Sequence, residues 1–497
     1  MKNSFSRRRF LTTAAAGLVA ARAAHAAPPE ASLRPVLRGE DFFKRAVRSV
    51  DEILSDARLA GKVSFAVADA ATGLPLETHS SEIARPPASV AKALTALYAL
   101  DALGAEHRFE TRLFATGGVV NGEIEGDLVL VGGGDPTLDT DTLAGMAADL
   151  KAAGIIGVKG GFKIYEGALP TMPRIDPEQP DQVGYNPGVS GLALNYNRVH
   201  FEWKRANGKY SVTMEGRSAR YRPAVRMAAM QLRDRAAPVY TYEDQGGVDV
   251  WTVARGALGS GGARWLPVRK PGLYAGEVFA SVAGSHGIRL KAPELVESLP
   301  KGETLVRHQS ADLRRILRDM LKWSTNLTAE MVGLAATRAR DGKPDSLRAS
   351  ADAMNAWARH SLGMQSVALV DHSGLGDDSR LTAADMVTAL VKVHGSGLRE
   401  ILKPIALRDE KYRVVKDHPI KVDAKTGTLN FVSALAGYLT SPDGTVMAFA
   451  IFAADQDIRA TISRAEREGP PGGKAWNGRA KRMQQALLER WGVLYGA

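Results

Sequence analysis

Apolar residues recur with two different periods near the start of the chain. From Arg38 to Ala60 they recur at helical spacing, which predicts a long amphipathic helix. From Val63 to His79 they alternate as in a strand, turn at 69–73 and return, which predicts a β-hairpin.

The end of the chain shows the same combination. Two apolar strands are predicted, at Ala434 to Thr440 and at Thr445 to Ala454, joined by a type I turn sequence, Ser-Pro-Asp-Gly. A helix is predicted from 473 to 491. Strands at both ends of the chain, each with helical sequence beside it, indicate one α/β domain whose sheet combines N- and C-terminal parts.

The middle of the chain differs. Residues 115–299 are rich in glycine and in short strand-like runs, with few long helical patterns. We interpret this stretch as an insertion that forms one or two small β-rich domains.

The N-terminal segment, Met1 to Ala26, is typical of an export signal. It combines a basic start, an apolar run from Leu11 to Ala21 and small residues at the two positions that a signal peptidase reads. The run is too short to span a bilayer. Because Ser-Arg-Arg-Arg-Phe-Leu at 6–11 resembles the twin-arginine signal, we expect export by that route to the periplasm. A basic arm for nucleic acid, the alternative, would not carry an apolar run and a cleavage site.

Charge and composition exclude several classes of function. The formal charge is +11, but five basic residues and no acidic ones lie in the signal, so the mature chain carries +6. Its basic residues alternate with acids, which removes the main support for nucleic-acid binding. The chain has no cysteine, so disulfides, thiolate metal sites and cysteine nucleophiles are excluded.

Ser89 and Lys92 form the first candidate catalytic pair. They follow two prolines and open an apolar helical pattern, so both lie in the first turn of a helix and on one face. At the positive end of the helix and out of water, the pKa of the lysine falls, and its neutral amine can activate the serine without a histidine. An ordinary helix cap is the alternative for Ser89. A second Ser-x-x-Lys, at 298–301, contains a proline at a helical position and is interpreted as a loop.

Ser324-Thr325-Asn326 is the second candidate element. It lies between predicted helices at 313–323 and 327–336, where a loop can project both polar side chains into a cleft.

Lys425-Thr426-Gly427-Thr428 is the third. It begins a strand-like segment in which the glycine lets a substrate approach the backbone, and the lysine and hydroxyls can bind a substrate carboxylate. Each element is common alone, but the three in this order, each on the required structure, are specific.

Other features receive structural interpretations. The glycine-rich stretch 132–135 lacks the Gly-Lys-Ser/Thr of a phosphate loop and is expected to be a turn. The ten histidines show no metal-ligand spacing, so we expect no metal and no cofactor. Asp371-His372 suggests a triad partner for Ser89, but Lys92 already lies beside that serine as a base.

The three motifs together resemble those of the penicillin-binding proteins and serine β-lactamases. Their spacing narrows the resemblance, because the interval from Ser89 to Ser324 is more than twice the interval from Asn326 to Lys425. A long insertion after the first motif resembles the DacB-type D-alanyl-D-alanine carboxypeptidase/endopeptidase family, the penicillin-binding protein 4 type. Further segments similar to that family are Gly126–Leu138, Gly188–Asn197, Pro271–Leu290, Asn326–Gly333 and Asp371–Thr382.

The resemblance implies an α/β (α+β) fold. It consists of a transpeptidase-like domain, with an antiparallel sheet flanked by helices, and a large β-rich insertion between the first and second motifs. The expected division is a signal peptide at 1–26, the first part of the transpeptidase-like domain at 27–114, the insertion at 115–299 and the second part at 300–497.

The resemblance also implies roles. Ser89 is expected to be the acylated nucleophile and Lys92 its general base. Ser324 and Asn326 are expected to relay a proton to the leaving D-alanine and to hold the substrate amide.

The Lys-Thr-Gly segment is expected to bind the other end of the substrate. Lys425, Thr426 and Thr428, beside Gly427, would receive the terminal carboxylate, and the N–H groups of Ser89 and Thr428 would form the oxyanion hole. The implied substrates are peptidoglycan stem peptides ending in D-Ala-D-Ala, and β-lactam antibiotics are the implied covalent inhibitors.

Two positions depart from the family pattern. Asp377 stands where an arginine is expected near the substrate side chain, and Glu166 is the nearest acid to the position that meets the diaminopimelate amine. These departures concern how the stem peptide is recognised and leave the acyl-transfer groups intact.

Two alternatives remain from the sequence. A serine β-lactamase or esterase shares the same core, and rapid turnover of penicillin would identify it. A non-catalytic peptidoglycan-binding relative would keep the fold without acylation of Ser89.

Overall fold

The computed structural model describes residues 47–340, 342–409 and 411–496, and the following account concerns the compact unit that begins at Val50. The predicted signal peptide and the first part of the predicted 38–60 helix lie outside the described residues. Of the described residues of that predicted helix, 47–60, only Val50–Ala57 are helical.

The helices and strands follow one another along the chain. The α-helices are α1 (Val50–Ala57), α2 (Ala91–Leu103), α3 (Thr140–Ala152), α4 (Pro271–Ser285), α5 (Leu313–Trp323), α6 (Asn326–Ala339), α7 (Leu347–Trp357), α8 (Ala383–Lys392), α9 (Leu398–Ile401), α10 (Gln456–Thr461) and α11 (Gly473–Leu494). The strands are β1 (Lys62–Asp69), β2 (Pro75–His79), β3 (Glu110–Ala115), β4 (Val119–Val120), β5 (Glu123–Ile124), β6 (Leu128–Gly132), β7 (Gly157–Val158), β8 (Phe162–Tyr165), β9 (Arg198–Ala206), β10 (Lys209–Glu215), β11 (Ala228–Arg233), β12 (Tyr240–Asp244), β13 (Asp249–Ala254), β14 (Gly261–Pro267), β15 (Pro293–Leu295), β16 (Glu303–Gln309), β17 (Lys403–Pro404), β18 (Lys421–Leu429), β19 (Val432–Thr440) and β20 (Val446–Ala454). None of the helices in the described residues has the length and apolar character needed to cross a bilayer.

Six antiparallel strands form the central sheet, in the order β17, β18, β19, β20, β1, β2. β1 pairs with β20 from Lys62 opposite Ala454 to Asp69 opposite Met447. This pairing confirms that the two ends of the chain share one sheet. Both predicted hairpins are present, and α11 begins at its predicted residue and extends past its predicted end at residue 491.

Helices cover both faces of this sheet. On one face, small side chains such as Ala66 and Ala450 lie in a core formed with α2, α5, α6 and α8. On the other face, Phe65 and Phe449 pack with α1 and α11. Because both faces are covered, β19 and β20 are apolar at nearly every position.

Helix α2 lies inside the first of these cores. Every residue from Ala91 to Ala99 is buried, and Lys92 among them is 0% exposed. A buried amine has to find its hydrogen-bond partners within the protein.

The insertion has a core of its own. β15, β8, β6, β3 and β16 form a five-stranded sheet, the strands β9 to β14 form two three-stranded sheets, and α3 and α4 pack against them. β3 ends at residue 115 and β16 begins at residue 303, so the sheet extends beyond both predicted limits of the insertion. The division of the chain into domains stays a prediction.

We predict that Trp491→Ala destabilises the protein. The indole is fully buried, its ring centroid lies 5.5 Å from that of Phe65 and 6.0 Å from that of Phe449, and its N–H donates to Glu77. The resulting cavity should lower the free energy of unfolding, measured by urea denaturation, by about 3–5 kcal/mol. Trp323→Ala removes a side chain that is 68% exposed and should cost less than about 1 kcal/mol. Equal losses in the two variants would contradict this packing.

Candidate active site

Ser89 lies in a short 3₁₀ turn, Ala88–Val90, that leads directly into α2. Strand β18 presses against this turn. A Cβ on Gly427 would lie 2.7 Å from the carbonyl oxygen of Pro87 and 3.1 Å from the Cβ of Ala88. Gly427, which the sequence predicts to give a substrate access to the strand backbone, therefore also makes room for the turn that carries Ser89.

Three hydrogen bonds hold the amine of Lys92. Its Nζ donates to Ser89 Oγ at 2.9 Å, to Asn326 Oδ1 at 2.7 Å and to the carbonyl oxygen of Ser373 at 2.7 Å. When the ammonium loses one proton, the amine can keep two of these bonds and accept the proton of the Ser89 hydroxyl. This is the geometry of a general base.

Two buried carboxyl groups, Glu330 and Asp371, set the charge balance around Lys92. Burial lowers the pKa of Lys92 to about 8, and the two negative charges oppose that shift. Burial also raises the pKa of both carboxyl groups. The ammonium and the neutral amine of Lys92 thus exchange readily near neutral pH, as a base requires.

The same carboxyl groups fix the loop that faces α2. Glu330 accepts the N–H groups of His372 and Ser373, both at 2.9 Å, and so directs the Ser373 carbonyl toward Lys92. Asp371 accepts two further N–H groups of the loop, at 2.6 and 2.7 Å.

The ring of His372 contacts Ser350 and Met354 and makes no hydrogen bond to Ser89 among the described residues. Its Nε2 lies 2.8 Å from Ser350 Oγ, and burial lowers its pKa to about 3, so the imidazole is neutral. Its contacts give no support to a Ser-His-Asp triad at Ser89.

Ser324 and Asn326 connect the remaining elements. Ser324 has a left-handed backbone (φ 59°, ψ 40°) between α5 and α6, and its Oγ accepts from Lys425 Nζ at 2.9 Å. Burial, and then the charge of Lys92, lowers the pKa of Lys425. Asn326 also donates through Nδ2 to the carbonyl oxygen of Tyr185, a residue of the insertion, at 3.0 Å. Hydrogen bonds thus join the other four predicted catalytic residues to Lys92 or to one another.

These groups border a cleft of about 340 Å³. Ser89, Ser324, Asn326 and Thr428 line it, and Lys425 lies behind Ser324. Thr426 and Gly427 are not among the residues that line the cleft, and both line a separate cavity between β18 and α11, which Thr428 also borders. Among the residues that the structure describes, no group of three histidine, aspartate or glutamate side chains is arranged to hold a metal ion.

Both departures from the family pattern have a structural explanation. Asp377 forms ion pairs with Arg459 and, at 3.2 Å, with Arg467, and all three side chains line the cleft. Glu166 does not line the cleft. It accepts the N–H of Gly272 at 2.9 Å at the start of α4, as a helix-capping acid does.

Two residues of the site, Glu330 and Tyr185, are not predicted from the sequence. Glu330 could have been predicted from the sequence, because it is an acid one helical turn after Asn326 in an otherwise largely apolar helix. Tyr185 could not, because it contributes its backbone carbonyl, and any residue has one.

Comparisons with known proteins show which family and which fold this chain is similar to. Residues 46–468 match the D-Ala-D-Ala carboxypeptidase 3 (S13) family. The chain is 29% identical to the D-alanyl-D-alanine carboxypeptidase of Actinomadura sp. (strain R39) over 436 residues, 81% of this chain and 79% of the relative. It is 24% identical to the D-alanyl-D-alanine carboxypeptidase DacB of Haemophilus influenzae over 406 residues, 73% of this chain and 79% of the relative. The crystal structure of penicillin-binding protein 4 from H. influenzae aligns with a TM-score of 0.70 at 19% identity, over 89% of this chain and 99% of the other, which shows the fold.

We predict that Gly374→Ala displaces the nucleophile. Gly374 has φ 73°, and a Cβ there would lie 1.9 Å from the carbonyl oxygen of Ala88. Displacement of the Ser89 turn by about 1 Å should slow its acylation by a fluorescent penicillin about 100-fold. Gly287→Ala is the matched control, because Gly287 has φ 79° but open space around it. It should cost about 1–2 kcal/mol of stability and leave acylation unchanged. Equal acylation by both variants would show that the contact does not position Ser89.

Proposed function

The chain belongs to the D-Ala-D-Ala carboxypeptidase 3 (S13) family and is a serine-type D-Ala-D-Ala carboxypeptidase, and we propose that Ser89 is its nucleophile and Lys92 its general base. The observation that carries this assignment is the 2.9 Å hydrogen bond between Lys92 Nζ and Ser89 Oγ, made in a buried site where the pKa of the amine is lowered. The proposed substrates are peptidoglycan stem peptides that end in D-Ala-D-Ala.

In the acylation step, neutral Lys92 takes the hydroxyl proton of Ser89, and Oγ attacks the carbonyl carbon of the penultimate D-alanine. The N–H groups of Ser89 and Thr428 receive the oxyanion of the tetrahedral intermediate. Lys425, behind Ser324, and the hydroxyl of Thr428 bind the terminal carboxylate.

Collapse of the intermediate breaks the amide bond. Ser324 relays the proton that Lys92 took from Ser89 to the nitrogen of the leaving D-alanine, which leaves Lys92 neutral again, and Asn326 orients the substrate amide. Ser324 suits this role because it is held by Lys425 on the side opposite the open cleft. Water then attacks the ester, again with Lys92 as base, and releases the shortened peptide and free Ser89.

We also propose that the enzyme works in the periplasm and is acylated by β-lactams. The export-signal pattern of residues 1–26, with its twin-arginine sequence, supports the location. A structure of the H. influenzae protein is a complex with a β-lactam, and the matching fold with an intact Ser89 site supports the same reaction here. Cleavage of cross-links between stem peptides is proposed as a second activity of the same site.

We predict that a fluorescent penicillin labels the wild-type protein and not Ser89→Ala, because Ser89 lies beside a buried lysine base. The control is Ser298→Ala, which removes the serine of the second Ser-x-x-Lys, an exposed bend, and should label like the wild type. Intact-mass measurement after penicillin should show a stable adduct, and after a muropeptide ending in D-Ala-D-Ala the loss of one alanine from the peptide. An unlabelled wild type would refute the assignment, and rapid penicillin turnover would indicate a β-lactamase.

We predict that acylation accelerates with pH. The pKa of Lys92 is about 8, so the protonated, inactive form dominates below that pH. The acylation rate should fall about tenfold for each pH unit below about pH 8 and level off above it. Stopped-flow measurement of penicillin acylation tests this.

The variant Glu330→Gln tests the direction in which the charge of Glu330 shifts the pKa of Lys92. It removes a negative charge that raises the pKa of Lys92, so the pH at which the rate levels off should move lower. A shift to higher pH, or a flat profile in the wild type, would contradict the role of Lys92 as the base.

A further inference from the structure

A second cavity, of about 700 Å³, is lined by residues of α5, β17 and β18. One wall is α5, through Arg318 and Lys322, and the other comprises the segment 394–404 and residue 423 of β18, including Lys403. The mechanism above uses none of these residues.

The cavity has an excess of positive charge. Its two acids are already paired, Asp423 with Arg399 at 2.8 Å and Glu400 with Arg314. Arg318, Lys322 and Lys403 line the same cavity and have no ion pair within the part of the chain that the structure describes.

Both walls of the cavity lead directly to catalytic residues. Lys322 lies just before Ser324, at the end of α5. Lys403 in β17 is opposite Ala424, the residue before Lys425, and its charge contributes to the lowered pKa of Lys425. The cavity therefore borders the end of the site where Ser324 and Lys425 handle the leaving group.

A single leaving D-alanine has no group left for this cavity to bind, because the carboxylate of that D-alanine is already bound by Lys425 and Thr428. Cleavage of a cross-link is different. There the leaving amine belongs to a second stem peptide, which carries further carboxylates beyond the scissile amide. Unpaired cations next to the leaving-group end match those carboxylates in charge and position.

We propose that this cavity binds the leaving stem peptide of a cross-linked substrate through its carboxylates, with Arg318, Lys322 and Lys403 as the recognising cations. The inference rests on the proposed function, and it assigns the leaving half of the endopeptidase substrate to a binding site separate from the cleft at Ser89. The bond broken is the amide between the acyl D-alanine on Ser89 and the side-chain amine of the second stem, and that amine leaves with the proton from Ser324.

The test compares two substrates, a pentapeptide ending in D-Ala-D-Ala and a cross-linked peptide dimer. The variant Arg318→Gln/Lys322→Gln leaves out Lys403, whose charge acts on Lys425. The ratio of kcat/KM for the dimer to kcat/KM for the pentapeptide should fall about tenfold, mainly through KM for the dimer, as expected from the loss of two exposed charge contacts. Arg315→Gln is the matched control, because Arg315 is exposed on the same helix outside the cavity, and it should keep the wild-type ratio.

A second measurement needs no variant and so does not depend on folding. Amidation of the carboxylates of the leaving stem should reduce kcat/KM of the wild type for the dimer by a similar factor. An unchanged ratio in the double variant, an equal fall in Arg315→Gln, or indifference to amidation would overturn the proposal. So would a wild type that releases D-alanine from the pentapeptide but does not cleave the dimer, whereas a wild type that neither binds penicillin nor releases D-alanine would refute the proposed function itself.

Discussion

The site depends on the burial of one amine. Lys92 belongs to a helix with no solvent-exposed residue from Ala91 to Ala99, and it is the only charged side chain in that stretch. Burial makes the ammonium unfavourable, and the carboxyl groups of Glu330 and Asp371 keep that shift moderate. A base that gains and loses a proton near neutral pH is the result of this balance, and it needs both the dry helix and the two acids.

The same acids connect electrostatics to geometry. Glu330 offers its two oxygens to consecutive backbone N–H groups, which turns the Ser373 carbonyl toward Lys92. Gly374 then passes close to the carbonyl of Ala88, in the nucleophile turn. The loop therefore positions Lys92 and Ser89 together, and the acid whose charge acts on Lys92 also orients the backbone beside it.

The sequence predicted the central sheet and most of the side chains that the structure brings together at the site, because both are encoded locally. The alternation in 63–79 and 434–454 and the short motifs at Ser89, Ser324 and Lys425 are visible without knowledge of the fold. Other features depend on long-range contacts. Strands β3 and β16 pair with each other although they lie on opposite sides of the insertion in the chain. The ion pairs of Asp377 with Arg459 and Arg467 could not be predicted, because the aspartate and the arginines lie in segments far apart in the chain.

The insertion contributes to the site, because the carbonyl group of Tyr185 orients the side chain of Asn326. Asn326 shares its amide between the lysine base and the backbone of Tyr185, so its orientation is fixed only when the segment around Tyr185 is in place. That segment is in turn held by Arg269, which donates to the carbonyl oxygen of Asp181 at 2.7 Å. Arg464, beyond the central sheet, pairs with the Asp181 carboxylate at 2.8 Å. The insertion and the C-terminal segment thus contact each other through Asp181 and Arg464, and the amide of Asn326 is positioned by contacts from distant parts of the chain.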